Sequence, residues 1–146
     1  MINKWFVGLF LVAFIGGFES ARAQQAEGSF LLSGAVDLAR TDAPGVIRRY
    51  QLGVEGNYFY RHNLSFSGGY EFNYLNANQV TIGSRFYPLE KLFIRGRGFI
   101  GSDSDFALGT GYTHNISYRV RLEGMGDYYV ANGVFGARVG IGILIN

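Results

Sequence analysis

The chain has no cysteine, only two prolines, two methionines and two histidines, and a single tryptophan in its 146 residues. Without cysteine, a disulfide-stapled fold and a cysteine-ligated zinc module are both excluded. Neither sign of charge dominates: thirteen bases stand against eleven acids, a formal net charge of +2. A nucleic-acid footprint would therefore need bases gathered on one face and interleaved with exposed aromatics, and no such grouping is found. What the chain does have is glycine (22), phenylalanine (13), tyrosine (10) and 48% hydrophobic residues overall. A disordered or purely solvating segment is incompatible with that content.

Only one long apolar run exists, Trp5 to Phe18, and it is framed by a basic start with Lys4 and by the small-x-small site Ala21-Arg22-Ala23. This is the pattern of a cleaved secretory signal peptide, too short for the ~20 residues of a spanning helix. The expected domains are thus a signal peptide over 1–23 and one domain over 24–146. Cleavage removes Lys4, Arg22 and Glu19 together with the only tryptophan, Trp5, and leaves a nearly neutral chain. No cysteine follows the cleavage site, so a lipid-anchored form is excluded as well.

From Ser29 onward the patterning has a period of two, which predicts an all-β chain with strands over 29–38, 50–60, 64–74, 79–87, 91–101, 105–113, 117–130 and 133–145. In the first seven the apolar side chains fall on even numbers, for example Phe30, Leu32, Val36 and Leu38, then Leu52, Val54, Tyr58 and Tyr60. In the eighth they switch to odd numbers: Phe135, Val139, Ile141, Ile143 and Ile145.

The opposite face carries the strand charges: Asp37, Glu55, Glu71, Arg85, Lys91, Arg95, Arg97, Asp105, Arg119, Arg121, Glu123, Asp127 and Arg138. Eight strands enclose a lumen barely wide enough for side chains, so the many Tyr, Phe and Leu side chains must face outward. Outward apolar residues demand lipid, where a base at the midplane costs about 2–4 kcal/mol. The predicted fold is a closed, antiparallel, up-and-down eight-stranded transmembrane β-barrel.

Ring positions along the strands agree with that reading. Tyr50, Phe72, Tyr74, Phe106, Tyr128 and Phe135 fall near the outer rim, and Phe30, Tyr58, Tyr60, Phe86, Tyr112 and Tyr118 near the inner, periplasmic one. Two aromatic girdles at headgroup depth follow; Phe66 and Tyr70 lie deeper.

Asn132-Gly133 is a two-residue hairpin signal. It would pair Ala131 with Val134, require the parity switch of the last strand, and set Asp127 opposite Arg138. The other turns keep parity and so need odd loops, such as His114-Asn115-Ile116. The longest connection, Ala39 to Arg49, is the expected first outer loop. Inside, Arg85, Arg95, Arg97, Arg119, Arg121 and Arg138 with Asp37, Glu55, Glu71, Glu123 and Asp127 form the candidate site, a salt-bridged network that plugs the lumen or lines a pore. Gly109, Gly111, Gly136, Gly140 and Gly142 are expected to leave space for the guanidinium groups.

Other chemistry is sparse. His62 and His114 read as turn residues, within a local echo of Tyr60-Arg61-His62-Asn63-Leu64-Ser65-Phe66 and Tyr112-Thr113-His114-Asn115-Ile116-Ser117-Tyr118. Gly96-Arg97-Gly98-Phe99-Ile100-Gly101 matches a phosphate-loop spacing by letter but has no helix after it. Ser102-Asp103-Ser104-Asp105 lacks the ligand count of a calcium loop. No catalytic residue, metal or cofactor is expected.

With the signal peptide, the eight alternating strands and the stretch Arg85-Phe86-Tyr87-Pro88-Leu89-Glu90-Lys91-Leu92-Phe93-Ile94-Arg95-Gly96, the chain resembles the small outer-membrane β-barrel family, similar in build to the membrane domains of outer membrane proteins A and X. It departs at Ile143-Leu144-Ile145-Asn146, where such proteins usually end in Phe or Trp. The resemblance implies a monomeric, non-enzymatic outer-membrane protein that contacts outer-membrane lipid and the barrel-assembly machinery and binds no nucleic acid. A narrow pore, a lipid-modifying enzyme and a soluble ligand-binding barrel are the alternatives.

Overall fold

A computed structural model describes residues 26–41, 51–73 and 77–146, with the side chain of Gln51 excepted. The expected signal peptide, most of the 39–49 connection, Tyr50 and Tyr74 lie outside the described residues. Eight strands form: β1 (Phe30–Arg40), β2 (Gln51–Arg61), β3 (Leu64–Asn73), β4 (Gln79–Phe86), β5 (Leu92–Ile100), β6 (Asp105–Asn115), β7 (Val120–Tyr129) and β8 (Val134–Ile145). Each pairs antiparallel with its sequence neighbours, and β1 pairs with β8 to close the barrel. Closure leaves no free sheet edge to template aggregation.

Alternation decides the faces as expected. Among the described residues thirty large apolar side chains are exposed, while Arg85, Arg95, Arg97, Arg121, Arg138, Glu55, Glu71, Glu123 and Asp127 are buried. The barrel is inside out relative to a soluble protein, where an apolar surface of this extent would drive association. Parity survives from β1 to β7 because each register pairs even with even, for example Phe30 with Tyr58, Leu64 with Phe86 and Leu92 with Tyr112. It switches at β8, where Tyr128 pairs with Phe135.

We use "inner end" for the end at which β1 starts and β8 finishes. Phe30, Tyr58, Tyr60, Phe86 and Tyr112 crowd this end, and Phe72, Phe106, Tyr128 and Phe135 the opposite one. The two deeper rings join their nearest girdles. Phe66 pairs with Tyr58 and packs 6.2 Å from Tyr60, and Tyr70 stands edge-on to Phe72 at 4.8 Å.

Three local expectations are corrected. The β7–β8 turn spans residues 130–133, so Tyr129 pairs with Val134, Asp127 with Gly136, and Arg138 with Met125. A type I′ turn needs positive φ at both central residues, but only Gly133 has it (φ 63), and no described non-glycine residue does. The Asp105 carboxylate holds the wider turn, accepting from the Ala131 amide at 2.8 Å and from Asn132 Nδ2 at 3.0 Å. At the inner end β6 continues through His114 and Asn115, and the turn falls on residues 116–119, where Ser117 Oγ accepts from the Val120 amide at 3.2 Å. That turn carries Arg119 out of the lumen, and it is exposed. Finally, register shifts mark two bulges, one between Asp37 and Ala39 and one between Phe59 and Arg61.

Candidate functional site

Ten of the eleven predicted lumen charges point inward, and most are joined in two ion-pair chains. The longer starts at Asp37 on β1, whose Oδ1 lies 2.6 Å from Nε of Arg138 on β8. Arg138 donates to both oxygens of Glu71 on β3, at 2.7 and 2.9 Å. Glu71 also accepts from Arg97 on β5 at 2.7 Å, and Arg97 donates onward to Asp127 on β7 at 2.9 Å. Arg95, on the same strand as Arg97, grips Asp127 with Nε at 2.9 Å and through a second contact from Nη2. In the shorter chain Arg85 on β4 bridges two glutamates: it donates to Glu55 on β2 at 2.8 and 3.1 Å and to Glu123 on β7 at 2.9 and 3.0 Å.

Pairing of this kind is what allows charge to sit in a barrel interior. A lone buried ion costs several kcal/mol, and only bidentate geometry with charge-assisted hydrogen bonds offsets that cost. Planar guanidinium forks suit the task because each reaches two carboxylates on different strands. Arg121 is buried too, in register with Gly142 and Asn115. Arg119 belongs to neither chain.

Side chains that parity placed inward without marking them as charged complete the lumen. Leu31, Phe59, Tyr87, Phe93, Met125 and Leu144 form an apolar cluster toward the inner end, and Phe99, Ala107, Tyr129 and Val134 a second one toward the outer end. The charged layer is stacked on both: Arg85 lies 4.7 Å over the Phe93 ring and Arg97 5.0 Å over Phe99. Tyr87, in the turn after β4, is held by its amide to the Asn63 carbonyl at 2.8 Å, and burial pushes its phenol above the ordinary range.

Arg40 is the charge that parity alone misses. The bulge at Asp37–Ala39 sets it beside inward-facing Gly136, and its guanidinium lies 4.6 Å over the Tyr129 ring and 3.7 Å from Asp37. The glycines also act differently from expectation. A Cβ on Gly109 would strike the Asp127 carboxylate, one on Gly111 the Phe93 ring, one on Gly136 the Tyr129 ring, one on Gly140 the Gly34 carbonyl, and one on Gly142 the Leu31 side chain. The glycines that make room for guanidinium groups are Gly53, against Arg138, and Gly83, against the Arg97 stem.

Among the described residues no three His, Cys, Asp or Glu side chains are placed to share a metal ion. His62 and His114 are both exposed, in the β2–β3 turn and near the end of β6. Asp105 is engaged by its own Phe106 amide and by the β7–β8 turn. The glycine spacing at 96–101 lies on β5, with no helix to present amides to a phosphate.

No protein-family model matches the chain, and no curated protein matches it in sequence. Solved structures do. A structure titled as de novo design of transmembrane β-barrels superposes with a TM-score of 0.66 at 16% identity, covering 84% of this chain and 99% of its own. The N-terminal β-barrel domain of Pseudomonas aeruginosa OprF superposes with a TM-score of 0.57 at 13% identity, covering 83% of this chain and 100% of its own. The chain has the transmembrane β-barrel fold. At these identities the likeness is one of architecture: strand number, closure and the outward apolar face, not the particular charges of this lumen.

Proposed function

We propose that this barrel resides in the outer membrane, delivered there by cleavage of residues 1–23, and that its lumen is closed, so that its role is structural or one of surface interaction. The observation that carries this reading is the pair of ion-pair chains running from wall to wall, from β1 through β8, β3 and β5 to β7, and from β2 through β4 to β7, with apolar clusters on either side. A solute passing through would have to break several buried, charge-assisted contacts and push aside both packed apolar layers. The outward apolar band supplies the membrane half of the argument, and outer-membrane lipid and the assembly machinery are its expected partners. No nucleophile with a base and an orienting acid converges among the described residues, which supports a non-enzymatic role.

A membrane barrel is recovered with membranes and migrates differently in electrophoresis with and without boiling; recovery of the mature chain in the soluble fraction would overturn the membrane assignment. The second reading, a narrow pore, draws on the near-continuous charge from Asp37 to Asp127. Conductance across planar bilayers decides between them. A closed lumen gives a silent bilayer with the wild-type protein, whereas a pore gives discrete steps that change on Arg97→Ala.

A further inference from the structure

The register shift in β2 leaves Tyr60 and Arg61 together opposite the single residue Leu64 of β3. Odd parity would send Arg61 into the lumen beside Asn57 and Phe59. The bulge instead re-aims it, as bulges near a barrel rim do, and both Tyr60 and Arg61 are exposed. The Arg61 guanidinium rests 5.9 Å from the centre of the Tyr60 ring, and that ring lies 6.2 Å from Phe66. Leu64 and its cross-strand partner Phe86 continue the same outward face.

We propose that Tyr60 and Arg61 form a binding site for the phosphate of a membrane phospholipid at the inner end of the barrel. A base turned outward within the apolar band would be costly, whereas one at the rim meets headgroups. The guanidinium fork matches two phosphate oxygens, the tyrosine hydroxyl sits at headgroup depth, and Phe66, Leu64 and Phe86 offer the acyl chains an apolar wall. The charge distribution agrees. Among the described residues the exposed arginines are Arg61 and Arg119, both at the inner end and each directly after an exposed tyrosine, Tyr60 at 59% and Tyr118 at 68%. Glu27 and Glu90 are the exposed acids at that end, on other segments, and Asp103 is exposed at the outer end.

The site rests on the membrane reading above, and its test separates the two. The mature protein, refolded in a mild detergent micelle, is titrated with phosphatidylglycerol and bound lipid is counted by native mass spectrometry. Wild type retains lipid, Arg61→Gln retains about tenfold less at equal lipid, and Arg61→Lys falls between them. Arg61 makes no lumen contact, so the heat-dependent mobility shift should persist in both variants and certify the fold. Equal retention by wild type and Arg61→Gln, with the mobility shift intact, overturns the site alone. Absence of the shift in wild type overturns the membrane reading instead. Should Arg61→Gln fail to fold, Tyr60→Phe with the same titration, expected to lower retention and overturned by no change, keeps the proposal testable.

Discussion

Arg138 on β8 donates to both carboxylate oxygens of Glu71 on β3, and so ties together two strands separated around the wall by β1 and β2. The same glutamate holds Arg97 of β5. Truncating it strands two buried guanidinium groups at once. Glu71→Ala is expected to lower stability by about 3–5 kcal/mol, read from urea unfolding in lipid vesicles with the mobility shift as the signal for the folded barrel. A loss below about 1 kcal/mol would show that the network is decorative. Asp103→Ala, at an exposed turn, serves as the control and should change little.

The β7–β8 register separates two pairings that differ by two residues. Cysteines at Tyr128 and Phe135 are expected to cross-link under mild oxidation, because these residues are direct partners. Cysteines at Tyr128 and Ala137, the partners that a two-residue Asn132-Gly133 loop would create, should not. The chain has no native cysteine, so the outcome is unambiguous: a bridge between 128 and 137 in the folded barrel would restore the narrower turn.

How much of this is legible in the sequence follows from what a period of two can and cannot encode. It carries the face of every side chain, so numbering alone places Glu55, Arg85 and Glu123 in the lumen, and Ile141 and Ile143 outside it. It is blind to an inserted residue. The bulges at Asp37–Ala39 and Phe59–Arg61 each reverse parity locally, which is why Arg40 reads as a loop residue and Arg61 as an ordinary turn neighbour. Turn width depends on φ at one or two residues and on remote acceptors such as Asp105, and the Asp127–Arg138 pairing and the lumen position of Arg119 fail on that account. Partner choice inside the barrel depends on stagger around the wall, which no single strand states. The signal available for the inner and outer apolar clusters is the inward parity of Leu31, Phe59, Phe93, Phe99 and Leu144, outweighed in reading by the charges between them.

Asn57 is wholly buried in the lumen, and neither its amide nitrogen nor its amide oxygen has a hydrogen-bond partner. Burying such a group without a partner costs about 1–3 kcal/mol. Replacement by an apolar side chain of similar size removes that penalty, so Asn57→Leu is expected to raise the urea midpoint, by about 1–2 kcal/mol in stability. A destabilised Asn57→Leu barrel would mean that the amide finds partners in the membrane-embedded protein, and that the polar contact contributes to the lumen's order.

Arg40 offers a way to test whether the outer mouth is held shut by a side chain. Its guanidinium covers Tyr129, and Tyr129 packs with Phe99, Ala107 and Val134 at the outer end of the lumen. A cation over a desolvated ring contributes about 1–2 kcal/mol, and the 3.7 Å contact with Asp37 ties it to the longer ion-pair chain. Ala107 is 1% exposed beneath this cover, so a cysteine introduced by Ala107→Cys should react slowly with a small water-soluble thiol reagent. Adding Arg40→Ala is expected to raise that rate about tenfold, matching a loss of about 1.4 kcal/mol in the closed state. Arg40→Lys, which keeps the charge but not the flat stacking surface, should give an intermediate rate. If Arg40→Ala leaves the rate unchanged while the barrel keeps its mobility shift, the mouth is closed by the packing of Phe99, Tyr129 and Val134 alone, and the bulge that turns Arg40 inward has some other use.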